Sequence, residues 1–120
     1  VYKLMKKVLP GHYTFILNAS NKVPKIFKRN KKTVGIRIPD SNLIREIVEE
    51  YGNPIVTASI KDIYNITEYP TDPQEIYEAY KNNVDIVIDG GIGGIIPSTV
   101  FDCTGEVIKV IRKGKGDINF

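Results

Sequence analysis

The segment Val84–Asp117, VDIVIDGGIGGIIPSTVFDCTGEVIKVIRKGKGD, constrains the fold more than any other part of the chain. Its apolar runs are short and broken by glycine. Asp85–Ile88, Thr99–Cys103 and Val107–Ile111 each read as a strand, and turn formers separate them. Gly90, Gly91, Gly93 and Gly94 surround Ile92, while Cys103-Thr104-Gly105-Glu106 is short enough to call for an antiparallel hairpin. The order strand, glycine turn, strand, tight turn, strand specifies a sheet. Ser98, Thr99 and Arg112 stand where these strands begin or end. Hydroxyls, a guanidinium and glycine-freed backbone N–H groups in such positions are able to converge on an anion.

Upstream, helical and strand-like segments alternate. Residues 1–8 read as the end of a helix stopped by Pro10-Gly11, and His12–Ala19 reads as a strand. A polar, basic loop to Lys32 follows, with one helical turn expected at Val23–Phe27. Thr33–Ile38 is a strand ended by Pro39. Asp40 or Ser41 caps a helix over Asn42–Tyr51, whose Leu43, Ile44, Ile47, Val48 and Tyr51 form one stripe before Gly52. Pro54–Ile60 reads as a buried strand. Asp72-Pro73-Gln74-Glu75, a capping-box variant, opens a helix to about Lys81. Several connections between the earlier strands are long enough for parallel pairing. The expected class is α/β, a mixed parallel and antiparallel sheet with helices packed on it.

A length of 120 residues allows one domain at most. No apolar run approaches the roughly 18 residues of a membrane span, and no basic-then-apolar signal segment opens the sequence. Cys103 is the single cysteine and His12 the single histidine, which excludes an intrachain disulfide and any metal site of several cysteines or histidines. Such cysteine usage fits a reducing cytoplasm. The net charge of +3 hides a polarity: residues 1–40 sum to +9, residues 41–106 to −9, and residues 107–120 to +3. A basic surface built from both ends, with Lys25, Lys28, Arg29, Lys31 and Lys32 at its densest part, suits phosphate or RNA; the same lysines also make an ordinary solvated loop.

Taken singly, most of the polar motifs have more than one reading. The glycine run is either a phosphate cradle or a flexible connection. Ser98 and Thr99 either donate to a ligand or satisfy the turn. Arg37, between Ile36 and Ile38 in a β-run, pairs with a ligand, with a buried acid, or faces solvent. Arg112 binds a ligand or makes a surface ion pair. His12 reads as a loop histidine, Cys103 as a small core residue, and Asp102 as a turn hydrogen-bond acceptor.

In order along the chain stand Pro10-Gly-x-Tyr-Thr-Phe15, Gly35-Ile-Arg-Ile-Pro39 and Gly52-Asn-Pro-Ile-Val-Thr-Ala-Ser59. Asp89-Gly-Gly91, Pro97-Ser-Thr-Val-Phe-Asp102 and Val110-Ile-Arg-Lys-Gly114 follow. This series resembles the YrdC/YciO family of threonylcarbamoyl-AMP synthases over essentially all the residues. The resemblance implies a twisted α/β sheet with a large basic concavity. It further implies a parent that condenses L-threonine, bicarbonate and ATP, supplied with Mg2+, for threonylcarbamoyl modification of tRNA, with no structurally bound cofactor or metal. Thr14, Arg37, Ser59, Ser98 and Arg112 would line the ATP and threonine cleft. Two departures point to the YciO branch: Ser59-Ile60-Lys61 replaces the synthases' Ser-Ala-Asn, and His12 stands where they carry proline.

The family's N-terminal segment, with its Pro-Thr-Asp-Thr strand and Lys-x-Arg motif, has no counterpart in this sequence, which opens at Val1 in what reads as mid-helix. The expectation is therefore an incomplete YrdC-like fold, residues 1–120 forming the C-terminal part of one domain. Alone it would lack synthase activity and would self-associate through an exposed sheet edge. A non-catalytic module for double-stranded RNA or tRNA is the alternative.

Overall fold

The structure, a computed structural model, describes residues 1–25, 32–60 and 69–120. They fall into two units, Val1–Val56 with Pro97–Phe120 and Thr57–Ile96. In the first unit, helix α1 (Tyr2–Val8) precedes strand β1 (Tyr13–Asn18), strand β2 (Thr33–Ile36) and helix α2 (Asn42–Tyr51). Strands β3 (Thr99–Asp102) and β4 (Lys109–Arg112) complete a four-stranded sheet of order β2-β1-β3-β4. Helix α3 (Pro73–Tyr80) belongs to the second unit.

Side chains alternate across a strand, so Tyr13, Phe15 and Leu17 share one face of β1 and Thr14, Ile16 and Asn18 the other. Parallel pairing sets Phe15 opposite Phe101. Their rings stack with centroids 5.4 Å apart, Tyr13 lies 6.0 Å from Phe101, and Phe120 meets Phe101 edge-on. Leu4, Met5 and Val8 of α1 close over this cluster, as does Ile118 from the tail. Each aromatic pair adds about 0.5–1.5 kcal/mol beyond its burial. The apolar face is therefore occupied by α1 and the tail, and the polar residues of β1 lie on the reverse face.

The mixed sheet agrees with the expected class, and three particulars differ. The β1–β2 pair is antiparallel despite its long connection, while β1–β3, joined through most of the chain, is parallel. Pro54–Ile60 and Asp85–Ile88 are not strands: neither stretch has a ladder partner among the described residues, and Ile86 is 76% exposed. Apolar β-branched residues favour extension, yet a strand exists only where another backbone takes its N–H and C=O groups. Strand β4 begins at Lys109 rather than Val107, which is exposed within the turn. Of the helical turn expected at Val23–Phe27, Val23 N–H donates to Ser20 O, and residues 26 and 27 lie outside the described residues.

Both longer helices begin on local signals, and α2 also ends on one. The Ser41 hydroxyl accepts from Ile44 N–H at 3.4 Å, and Gly52 ends α2 at φ 79°, where a Cβ would be strained. In the second unit, an Asp72 carboxylate oxygen accepts from Gln74 N–H at 2.9 Å with Pro73 opening α3. The glycine run is tied locally there: Gly91 N–H donates to Asp89 and Gly93 N–H to Thr71 O.

Candidate functional site

Ser98 stands one residue before β3, on the polar side of the sheet, and is 8% exposed. Its hydroxyl lies 2.8 Å from that of Thr14 in the neighbouring strand. Its carbonyl accepts from Arg112 Nε at 3.1 Å and from Arg112 Nη2 at 2.9 Å, and Nη2 also lies 3.3 Å from the hydroxyl. The β3–β4 register places Arg112 opposite Val100, then shifts between Val100 and Phe101. Such irregularities re-aim side chains at strand ends, and here the guanidinium reaches back to the start of β3.

These contacts give Arg112 no carboxylate among the described residues, its partners being a carbonyl and a hydroxyl. Its Nη1 group has no partner among the described residues. An arginine oriented by backbone, beside two mutually hydrogen-bonded hydroxyls, suits a phosphate or carboxylate. Arg37 follows Ile36, which pairs with Phe15, so alternation assigns it to the Thr14 face. Its side chain is exposed and has no acidic partner among the described residues, which sets aside the buried-pair reading.

The two hydroxyls of Ser98-Thr99 part company. Thr99 is fully buried, donates to Gly116 O at 2.6 Å and accepts from Gly114 N–H at 2.9 Å. Lys115 N–H donates to Pro97 O at 2.8 Å, and the Tyr13 hydroxyl donates to Asp117 O at 3.0 Å. The tail is thus strapped across the starts of β1 and β3. A Cβ on Gly114 would sit 2.2 Å from Pro97 O, and one on Gly116 2.4 Å from the Tyr13 ring. These glycines serve close backbone approach rather than cradling an anion, a function their Gly-Lys-Gly spacing could have signalled.

The remaining sequence candidates divide as follows. Asp102 accepts from the Thr104 hydroxyl and backbone N–H at 2.6 and 2.9 Å. The hydroxyl bond first, then the backbone bond, holds its carboxyl below the usual range. It stabilises the turn, as the sequence suggests. Cys103 belongs to the core, and burial pushes its thiol up. Ser59 lies in the second unit on the exposed stretch after Pro54. Lys25 and Lys32 are exposed, whereas Lys28, Arg29, Lys31 and Lys61 lie outside the described residues. The structure therefore brings together Thr14, Ser98 and Arg112. No helix among the described residues is long and apolar enough to cross a membrane.

Residues 1–114 match the Sua5/YciO/YrdC family model, described as "Telomere recombination". YciO of Escherichia coli (strain K12) is 36% identical over 119 residues, which are 98% of this chain and 57% of that protein. Its crystal structure superposes with a TM-score of 0.88 at 34% identity, over the same shares of the two chains. A putative threonylcarbamoyl-AMP synthase of Methanocaldococcus jannaschii is 37% identical over 115 residues, 93% of this chain and 51% of that protein. The crystal structure of P. abyssi Sua5 complexed with L-threonine superposes with a TM-score of 0.79 at 28% identity, covering 94% of this chain and 33% of that one. The chain thus spans little more than half the length of the YciO and Methanocaldococcus jannaschii relatives and a third of the P. abyssi Sua5 chain. With the matched residues running from the first helix to the tail glycine Gly114, the chain belongs to the Sua5/YciO/YrdC family.

Proposed function

We propose that the whole protein binds ATP and L-threonine and, with bicarbonate, forms threonylcarbamoyl-AMP for the modification of tRNA. The observation that supports this reading is the Arg112 guanidinium held on the Ser98 carbonyl, beside the Ser98 and Thr14 hydroxyls. In the reaction, the threonine amine takes up bicarbonate with loss of water. The resulting carbamate oxygen attacks the α-phosphorus of ATP, and pyrophosphate leaves. Arg112 and Arg37 would pair with phosphate or carboxylate oxygens, and the hydroxyls would orient one reactant against the other. Positioning and fixed positive charge lower such a barrier without a covalent nucleophile. Among the described residues no group of three or more His, Cys, Asp or Glu is poised to hold an ion. Mg2+ would enter with the ATP phosphates, as the family resemblance implies. Incubation of the whole protein with ATP, threonine and bicarbonate should release pyrophosphate only when all three are present; release independent of threonine would overturn the assignment.

A second reading, an RNA-binding surface in the cytoplasm, draws on Lys25 and Lys32, which are exposed on either side of a segment carrying Lys28, Arg29 and Lys31. It requires that binding of tRNA or duplex RNA weaken steeply as salt rises. Charge reversal of those five positions should abolish it; unchanged binding would exclude this surface.

A further inference from the structure

The Thr99 hydroxyl occupies an unusual position. It is completely buried, yet it both donates to and accepts from one segment, bridging Gly114 N–H and Gly116 O. Two backbone hydrogen bonds flank it, of which only the first comes from the strap. Lys115 N–H holds Pro97 O, and Thr99 N–H holds His12 O at 2.9 Å, so the backbone on both sides of Ser98 is fixed. Gly114 lies two residues after Arg112, whose guanidinium grips the Ser98 carbonyl. The clamp therefore closes a ring. Arg112 reaches Ser98 through its side chain, while the chain just beyond Arg112 reaches Pro97 and Thr99 through its backbone.

We propose that Thr99 is a positioning residue, whose buried hydroxyl clamps the Gly114–Gly116 strap to the start of β3 and thereby fixes Arg112 and Ser98 relative to each other. Removing the hydroxyl orphans a buried donor and a buried acceptor together, and the strap relaxes to recover partners in water. Arg112 then loses the backbone anchor next to it. The inference rests on the nucleotide-binding reading only for its consequence in affinity; the positioning itself is a property of the chain.

The test uses the whole protein with Thr99→Val, which keeps the shape and deletes the hydroxyl, and Thr99→Ser, which keeps the hydroxyl. Gly114→Ala attacks the same strap from its other side, since its Cβ would meet Pro97 O and Ser98 O. Hydrogen exchange of the Arg112 Nε–H is measured by NMR, and Mg-ATP binding by calorimetry, with Arg112→Ala as control. Thr99→Val and Gly114→Ala should each speed Nε–H exchange and weaken Mg-ATP by about ten-fold, whereas Thr99→Ser should restore both toward the unmutated values. Unchanged Nε–H exchange in the folded variants, with only melting lowered, would overturn the proposal. If Thr99→Val does not fold, Gly114→Ala decides on the same criterion. If exchange speeds up but Arg112→Ala binds Mg-ATP normally, the positioning stands and the nucleotide reading fails.

Discussion

The Ser98 carbonyl accepts both Nε and Nη2 of Arg112, so the plane of the guanidinium is set by backbone at the start of β3 rather than by a carboxylate. No charge is neutralised by this contact. An exposed arginine whose orientation is fixed and whose charge meets no acid among the described residues differs in kind from a surface ion pair such as Lys81–Glu78, in which each charge answers the other.

Ser98→Ala should leave that geometry in place, because the carbonyl remains. The lost hydroxyl is a neutral donor worth about 1 kcal/mol, so Mg-ATP affinity should fall roughly five-fold with little change in melting temperature. Calorimetry beside a melting curve checks this. Early melting with intact affinity would mean that the Ser98 hydroxyl only joins β1 to β3 through Thr14.

Arg37→Ala should weaken the same ligand by about ten-fold or more, as expected for a charge-assisted hydrogen bond of roughly 1.5–3 kcal/mol. Its side chain is exposed, so the stability change should stay within about 0.5 kcal/mol. A variant that melts early yet binds normally would remove Arg37 from the site.

Burial raises the Cys103 thiol above its ordinary value, with a smaller contribution in the same direction from the Asp102 charge. A group whose folded pKa is raised contributes stability that is present below its unfolded pKa and lost as pH rises through the folded value. Stability against urea should therefore decline above about pH 8.5, and the decline should shrink in Cys103→Ala. Equal pH slopes in both proteins would contradict the assignment. The opposite linkage holds at Asp102, whose lowered carboxyl contributes stability that is lost as pH falls through its folded value.

Gly116→Ala should destabilise the fold through a clash, since its Cβ would fall 2.4 Å from Tyr13 Cε1 and 2.8 Å from His12 O. Forced repacking of this kind costs about 1–3 kcal/mol. Chemical denaturation of the two proteins measures it, and equal midpoints would show that the strap gives way without cost.

How much of this was legible before folding depended on whether the signal was local. Helix α2 runs over Asn42–Tyr51 as its stripe, its Ser41 cap and Gly52 require, and α3 opens at Pro73 after the Asp72 cap. Those signals act within a few residues. Pro54–Ile60 and Asp85–Ile88 carry good strand composition but gain no partner among the described residues, a matter of topology that composition does not encode. At the site, the motif resemblance brought out Thr14, Ser98 and Arg112, and the structure groups these three. The division of labour between Ser98 and Thr99 stayed hidden because it rests on contacts with Gly114 and Gly116, made only when the tail returns across the sheet.

On the proposed reading, Arg112, held by Ser98, receives an anionic group of the substrate. Calorimetric titration of Mg-ATP into the whole protein and into Arg112→Ala and Arg112→Lys, with a melting curve for each, tests this most directly. Affinity should fall at least ten-fold in Arg112→Ala, and lysine, a point charge without the planar fork, should not restore it, while melting shifts little. Undiminished Mg-ATP affinity in a folded Arg112→Ala protein would contradict the claim.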